Sequence, residues 1–213
     1  MRMRKKRNLL PRLERCAALI VSEPESERGR WLELAPACRE LHLEIGCGKG
    51  QFTAATALNC PEALLVAVER VAEALVIAAE RALELNISNL RFLKMDAREL
   101  VSVFAPGEIS LIYLNFCDPW PKKHDAKRRL TAPAFLDDYK TLLRPGGEIH
   151  FKTDNLPLFE YSLETFEDAG FRLREITRDL HRDGVNGVMT NYEERFHEQG
   201  IKINRLCAIR QGD

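Results

Sequence analysis

The chain has 213 residues, room for one ordinary domain plus a short appendage and too little for two full domains. A hydrophobic share of 45% and a charged share of 30% exclude a disordered chain, and no apolar run reaches the ~18 residues a membrane-crossing helix needs. The 32 basic and 32 acidic residues cancel, so total charge selects no partner.

Residues 1–20 are expected to form a basic arm rather than core. Seven basic side chains (Arg2, Arg4, Lys5, Lys6, Arg7, Arg12 and Arg15) stand there against Glu14 alone. The arm lacks the apolar segment of a secretory signal. Cys16, Cys38, Cys47, Cys60, Cys117 and Cys207 contain no Cys-x-x-Cys pair, which points to reduced thiols in the cytoplasm and away from a zinc ribbon. Residues 22–44 lean acidic, with six glutamates against three arginines. Trp31 is expected to pack the arm against a sheet.

From residue 41 short apolar runs alternate with amphipathic stretches. Leu41–Ile45 reads as a strand entering Gly46-Cys47-Gly48-Lys49-Gly50, and Gln51–Leu58 as a helix. Leu64–Val68 is a strand apolar on both faces. Val71–Leu85 carries a helical stripe of Val71, Leu75, Ala78, Ala82 and Leu85. Leu90–Lys94 and Ile109–Asn115 are strands flanking a helix over Ala97–Val103. A helix over Ala134–Leu143 is expected to stop at Pro145-Gly146-Gly147, before the strand Glu148–Lys152. A helix over Pro157–Ala169 ends at Gly170; the strands Phe171–Thr177 and Ile203–Ile209 finish the chain with no long helix between them, an antiparallel ending. This order predicts an α/β fold in one domain. Its seven-stranded sheet is doubly wound and mostly parallel, with an antiparallel last strand, and Rossmann-like.

In such sheets ligands bind beyond the carboxyl ends of the strands. Gly46, Gly48 and Gly50 let the backbone approach a ligand closely. Glu44 precedes that loop and suits an ammonium group. Glu69 ends the second strand and suits two ribose hydroxyls. Asp96 follows the third strand, where an adenine edge would lie. Each has a plainer alternative: Glu44 caps a strand end, Glu69 pairs with Arg70 or Arg81, and Asp96 caps the helix after it. A dinucleotide fingerprint needs glycine at 51, where Gln51 stands, and no Walker loop fits. Three acids would repel a pyrophosphate. A cationic nucleoside such as S-adenosylmethionine suits them.

The stretch Asn115-Phe116-Cys117-Asp118-Pro119-Trp120-Pro121-Lys122-Lys123 is the most unusual in the chain. Two prolines fix the backbone around Trp120 and remove two donors, so Asp118 and Trp120 are presented in a set geometry. Lys122, Lys123, Lys127, Arg128 and Arg129 follow, against Asp125. A carboxylate, an aromatic and a basic run suit a base entering a pocket beside its phosphate backbone. The alternative is a turn with a buried tryptophan and a solvated charged face. His42, His150, His181 and His197 show no metal-ligand spacing, so no metal is expected.

The blocks LHLEIGCGKGQF (41–52), VERV (68–71), IYLNFCDPWPKKHDAKRRL (112–130), GGEIHFKTDN (146–155), LFEYSL (158–163) and TNYEERF (190–196) resemble the bacterial tRNA (guanine-N7)-methyltransferase family, in family order. The resemblance implies a class I methyltransferase fold, S-adenosylmethionine as donor and the variable-loop guanosine of tRNA as acceptor. By position match Glu44, Gly46, Gly48, Gly50, Glu69, Asp96 and Asp118 would bind the donor, and Asp118 would be the catalytic residue. Lys122, Asp154, Thr190, Asn191, Tyr192 and Glu193 would contact the substrate. His124, Asp125, Ala126, Lys127, Arg128 and Arg129 would contact the RNA. Cys117 stands where serine is common, and Asn191 takes a variable place. Thr190 and Glu193 also read as the cap of a helix, and Asp154 as the N-cap of the helix near Pro157. Neither a membrane nor a metal partner is expected, and a monomer and a homodimer are both compatible. Two other readings stand beside this one: methylation of an exocyclic amino group, disfavoured by Asp where those enzymes carry Asn, and an inactive RNA-binding module, disfavoured by the intact glycines and acids.

Overall fold

A computed structural model describes residues 8–185 and 187–212. Two compact units divide the chain, Met1–Ala105 and Pro106–Asp213.

In the first unit, α1 (Leu9–Arg15) precedes β1 (Glu40–Ile45), α2 (Gln51–Asn59), β2 (Ala63–Val68), α3 (Ala72–Glu84), β3 (Leu90–Leu93) and α4 (Leu100–Val103). Every side chain of β2 is buried, as its unbroken apolar run requires, and β2 pairs in parallel with β1 and β3. The α3 stripe buries Ala74, Leu75, Ala78, Ala79 and Ala82. Its alanines let the chain pass very close: a Cβ on Gly50 would lie 2.6 Å from Ala78 Cβ. The helix expected over Ala97–Val103 begins instead as a 3₁₀ turn at Ala97–Glu99 and becomes α-helical only at Leu100.

The arm expected over residues 1–20 is docked from residue 8 onward; Arg2, Arg4, Lys5, Lys6 and Arg7 lie outside the described residues. Arg12 Nε donates to Glu80 Oε1 at 2.7 Å and Arg15 Nη2 at 3.0 Å, pinning α1 to α3. Ile20 bridges Phe92, whose N–H donates to Leu19 O at 2.8 Å, so the segment covers the edge of β3. Trp31 is fully buried, lies 5.2 Å from the Phe104 ring and donates its indole N–H at 2.9 Å to the carbonyl of Val103, the last residue of α4.

The second unit holds β4 (Ile109–Asn115), α5 (Pro133–Leu142), β5 (Leu143–Thr153), α6 (Leu156–Asp168), β6 (Phe171–Thr177), α7 (Asn191–Glu198) and β7 (Asn204–Arg210). Pro145-Gly146-Gly147 does not separate helix from strand as expected. Leu143 already pairs with Ile109 and the register then jumps to Leu111 with Glu148, so the three residues, with Arg144, form a bulge inside β5. Gly146 takes a φ of 74° there, which a side chain would resist. Strands β4 and β5 are parallel, whereas β7 runs antiparallel to both β5 and β6. The seven strands are ordered β3-β2-β1-β4-β5-β7-β6, the expected mostly parallel sheet with an antiparallel last strand. No helix among the described residues is long and apolar enough to cross a membrane.

Candidate active site

In the first unit the three acids end or follow three parallel strands. Glu44 is almost fully buried on β1 and its Oε2 accepts the Thr53 hydroxyl at 2.5 Å. Glu69 accepts the Gly48 N–H at 3.0 Å on Oε2 and the Val71 N–H at 2.8 Å on Oε1. It therefore ties the glycine loop to the start of α3, a role the alternative of pairing with Arg70 or Arg81 did not foresee. The loop is anchored at its other end by the Gly46 and Cys47 N–H groups, which donate to Val68 O at 2.8 and 3.1 Å.

Gly46, Gly48 and Gly50 adopt φ values of 84°, 56° and 73°. A Cβ on Gly46 or Gly48 would meet nothing within 4 Å, so those two glycines turn the backbone beside open space, while Gly50 serves packing against α3. Asp96 does cap the turn after it: Oδ1 accepts the Arg98 N–H at 3.1 Å. The Arg98 guanidinium grips both oxygens at 2.9 and 3.0 Å and, first among the causes, holds the carboxyl below its usual range. Cys47 sits between Glu44 and Glu69; burial, then those two charges, pushes its thiol well up, so it stays neutral.

In the second unit Asp118 is exposed on the loop after β4. The loop is strained at both ends: Phe116 and Trp120 take φ values of 51° and 41°, left-handed backbone for two bulky residues. Cys117 lies underneath, its thiol pushed up to about 12 by burial. The Trp120 ring is covered by the Arg128 guanidinium at 3.6 Å. Residues Lys123–Arg128 form a 3₁₀ turn that the sequence did not reveal. Lys122, Lys123, His124, Lys127 and Arg128 are exposed, Asp125 and Ala126 half-buried. Asp125 pairs with His124 at 3.3 Å and Arg128 at 3.5 Å. Arg129 differs from its neighbours and turns inward to Pro119 O and Trp120 O.

Asp154 is exposed at the end of β5 and does not cap α6. Asn155 does, accepting the Leu158 N–H at 2.9 Å, so the capping alternative belongs one residue later. Thr190 and Glu193 form a complete capping box on α7, with bonds of 3.0 and 3.2 Å. Tyr192 is 60% exposed, but Glu193 is 0% exposed. The Glu193 carboxylate takes Lys152 Nζ at 3.1 and 2.9 Å and lies 3.0 Å from His181 Nε2. Thr190, Asn191 and Tyr192 thus begin α7, while Glu193 bolts that helix to β5. A lysine inside the buried strand run was the signal: a buried ammonium demands a counter-charge.

Asn115, the last residue of β4, was not singled out. It is buried, and both polar atoms of its amide lack a hydrogen-bond partner among the described residues. Among the described residues, Glu148, His150 and Cys207 bring donor atoms within 4.8 Å of one another. The Arg174 guanidinium already pairs with Glu148 and donates to Cys207 Sγ at 3.4 Å, so a cation's place is taken by a side chain.

A family model described as a putative methyltransferase matches residues 38–206. A tRNA (guanine-N(7)-)-methyltransferase of Streptococcus suis is 43% identical over 209 residues, 98% of this chain and 99% of that protein. One from Listeria welshimeri is 45% identical, covering 98% of each.

The chain belongs to the tRNA (guanine-N7)-methyltransferase family.

Solved structures agree on the fold of this methyltransferase. An antibiotic-related methyltransferase superposes with a TM-score of 0.65 at 16% identity, covering 87% of this chain and 92% of that one. A 16S rRNA methyltransferase, KamB, gives 0.64 at 19% identity, covering 84% and 90%. At such identities they speak for a class I fold alone.

Proposed function

We propose that this methyltransferase transfers the methyl group of S-adenosylmethionine to N7 of the variable-loop guanosine of tRNA. The observation that carries the reading is 43–45% identity across 98% of the chain to enzymes named for N7 methylation of tRNA guanine. The donor chemistry fits. Glu44, Glu69 and Asp96 are acids that repel phosphate but suit a sulfonium, an ammonium and a ribose, and Gly46 and Gly48 leave open space beside them. Each oxygen of the Glu69 carboxylate has taken one backbone donor, so each keeps a lone pair for a ribose hydroxyl.

When bound, the donor supplies a methyl on a positively charged sulfur, which the lone pair of guanine N7 displaces with no proton to remove. The charge then arrives on the imidazole ring of the base. Asp118 stabilises it there or orients the guanine through its N–H groups, and it does so from a loop already fixed in shape. Exposed Lys122 and Asp154 hold the base, Asp154 accepting from guanine N1–H and N2–H₂. Lys127, Arg128 and His124 face phosphates. Thr190, Asn191 and Tyr192 flank the substrate, with Glu193 acting beneath them.

On this reading the whole chain works as one catalytic domain with a basic N-terminal arm, in the cytoplasm beside tRNA. One chain carries every required residue, so a monomer and a homodimer both satisfy it. Incubation with methyl-labelled S-adenosylmethionine and unmodified tRNA, followed by digestion to nucleosides, tests the proposal. Label is expected in N7-methylguanosine; label on an exocyclic amine, or none, overturns it. Asp118→Ala is expected to lose at least about 100-fold in rate with both substrates saturating.

A further inference from the structure

The basic run after the Asp118 loop looks like a uniform phosphate-binding surface, but one of its members is differently engaged. We infer that Arg129 is a positioning residue that holds the Asp118 loop in its reactive shape, and is not a phosphate contact. The inference rests on the methyl-transfer reading above.

Three observations carry it. First, the guanidinium is committed. Arg129 Nε donates to Pro119 O at 3.0 Å and Nη2 donates to Trp120 O at 3.1 Å, a planar fork set across two consecutive carbonyls. Its outer face lies 4.3 Å from the Tyr161 ring centroid. Arg129 is half-buried, whereas the neighbouring Lys127 and Arg128 are exposed.

Second, the loop needs an outside brace. Phe116 and Trp120 both hold left-handed backbone, which persists only where surroundings impose it. Pro119 and Pro121 have no N–H to contribute. Two donors from a rigid side chain supply what the loop's own backbone lacks.

Third, the brace stands on firm ground. Tyr161 belongs to α6, and the chain just after Arg129 is fixed to the same helix by Thr131 Oγ1, 2.8 Å from Ser162 Oγ. The Ser162 hydroxyl also bonds Leu158 O at 2.7 Å. Helix α6 is capped by Asn155, the residue after Asp154. Arg129 thus links the loop bearing Asp118 to the helix that starts beside Asp154, the two acids assigned to the guanine. Arg128 offers a contrast. Its side chain is 50% exposed, stacked on Trp120 and 3.5 Å from Asp125. A lysine at 129 keeps the charge but lacks the fork and the flat face.

The test separates the two roles. Arg129→Lys, Arg129→Gln and Lys127→Gln are compared in the full chain, reading tRNA affinity against salt concentration and turnover with both substrates saturating. If Arg129 positions the loop, both of its variants lose about 30–100-fold in kcat, the scale of a misplacement near 1 Å, while the salt dependence of tRNA binding is unchanged. Lys127→Gln flattens the salt dependence by about one unit. Tyr161→Leu, which removes the ring under the guanidinium, lowers kcat in the same direction and guards against a misfolded Arg129 variant. Full turnover in Arg129→Lys, or a flattened salt dependence in Arg129→Gln with kcat intact, overturns the inference alone. A wild-type chain that leaves tRNA unmethylated overturns the proposed function as well.

Discussion

Replacing Glu193 by glutamine isolates the buried ion pair that fastens α7. The carboxylate is 0% exposed and receives Lys152 Nζ on both oxygens, at 3.1 and 2.9 Å, besides facing His181 at 3.0 Å. Glutamine keeps the shape and one acceptor oxygen but removes the charge. Lys152 keeps Val188 O, at 2.9 Å, but loses the charge of Glu193. Removing one partner of a buried pair costs about 3–5 kcal/mol, because the other charge stays desolvated. Each kcal/mol lowers the melting temperature of a chain this long by about 2–4 °C, so Glu193→Gln is expected to lower it by roughly 6–20 °C. Urea unfolding followed by circular dichroism measures the loss. Adding Lys152→Met removes the stranded ammonium and is expected to restore at least half of it. A loss below about 1 kcal/mol, or no recovery in the double variant, would refute the assignment of Glu193 to the interior.

Three further outcomes follow from particular contacts. Gly50→Ala sets a Cβ 2.6 Å from Ala78 Cβ at a φ of 73°, and thermal unfolding is expected to show a loss of about 2–4 kcal/mol; an unchanged midpoint contradicts the close approach. Asn115→Leu removes two buried polar atoms that find no hydrogen-bond partner among the described residues, so stability is expected to rise by about 1–2 kcal/mol in urea unfolding; a destabilised variant contradicts this. The Arg12 guanidinium beside Glu80 holds that carboxyl below its usual value. Its hold on α1 is therefore complete above the ordinary carboxylate pKa and fades as the pH falls through and below it. The protection of residues 8–21, taken relative to the intrinsic exchange rate at each pH, is expected to fall between about pH 5 and about pH 3, and Glu80→Gln to abolish that fall.

Much of the fold was legible because its strands are unbroken apolar runs and its helices carry one apolar stripe. β2 and α3 were placed within a residue or two of their observed ends. Pro145-Gly146-Gly147 misled because a strong breaker motif also suits a bulge, and only the pairing of Leu143 with Ile109 tells the two apart. The N-terminal segment looked like a free basic arm because Arg12 and Arg15 find their partner, Glu80, 65 or more residues away. The placing of Gly46, Gly48, Glu44, Glu69 and Asp96 at the ends of successive strands was legible from their order in the chain. The capping box was too, since Thr190 and Glu193 stand three apart. The direction of Arg129 was hidden, as spacing cannot distinguish a guanidinium facing solvent from one bonded to carbonyls nine and ten residues back.

The measurement that bears most directly on the account is a calorimetric titration of the chain with S-adenosylmethionine, repeated with Glu69→Gln and with NADH. One molecule bound per chain is expected, with affinity lowered at least about tenfold in Glu69→Gln and no heat from NADH. Uptake of NADH, or no uptake of S-adenosylmethionine, contradicts the assignment of these acids to a positively charged methyl donor.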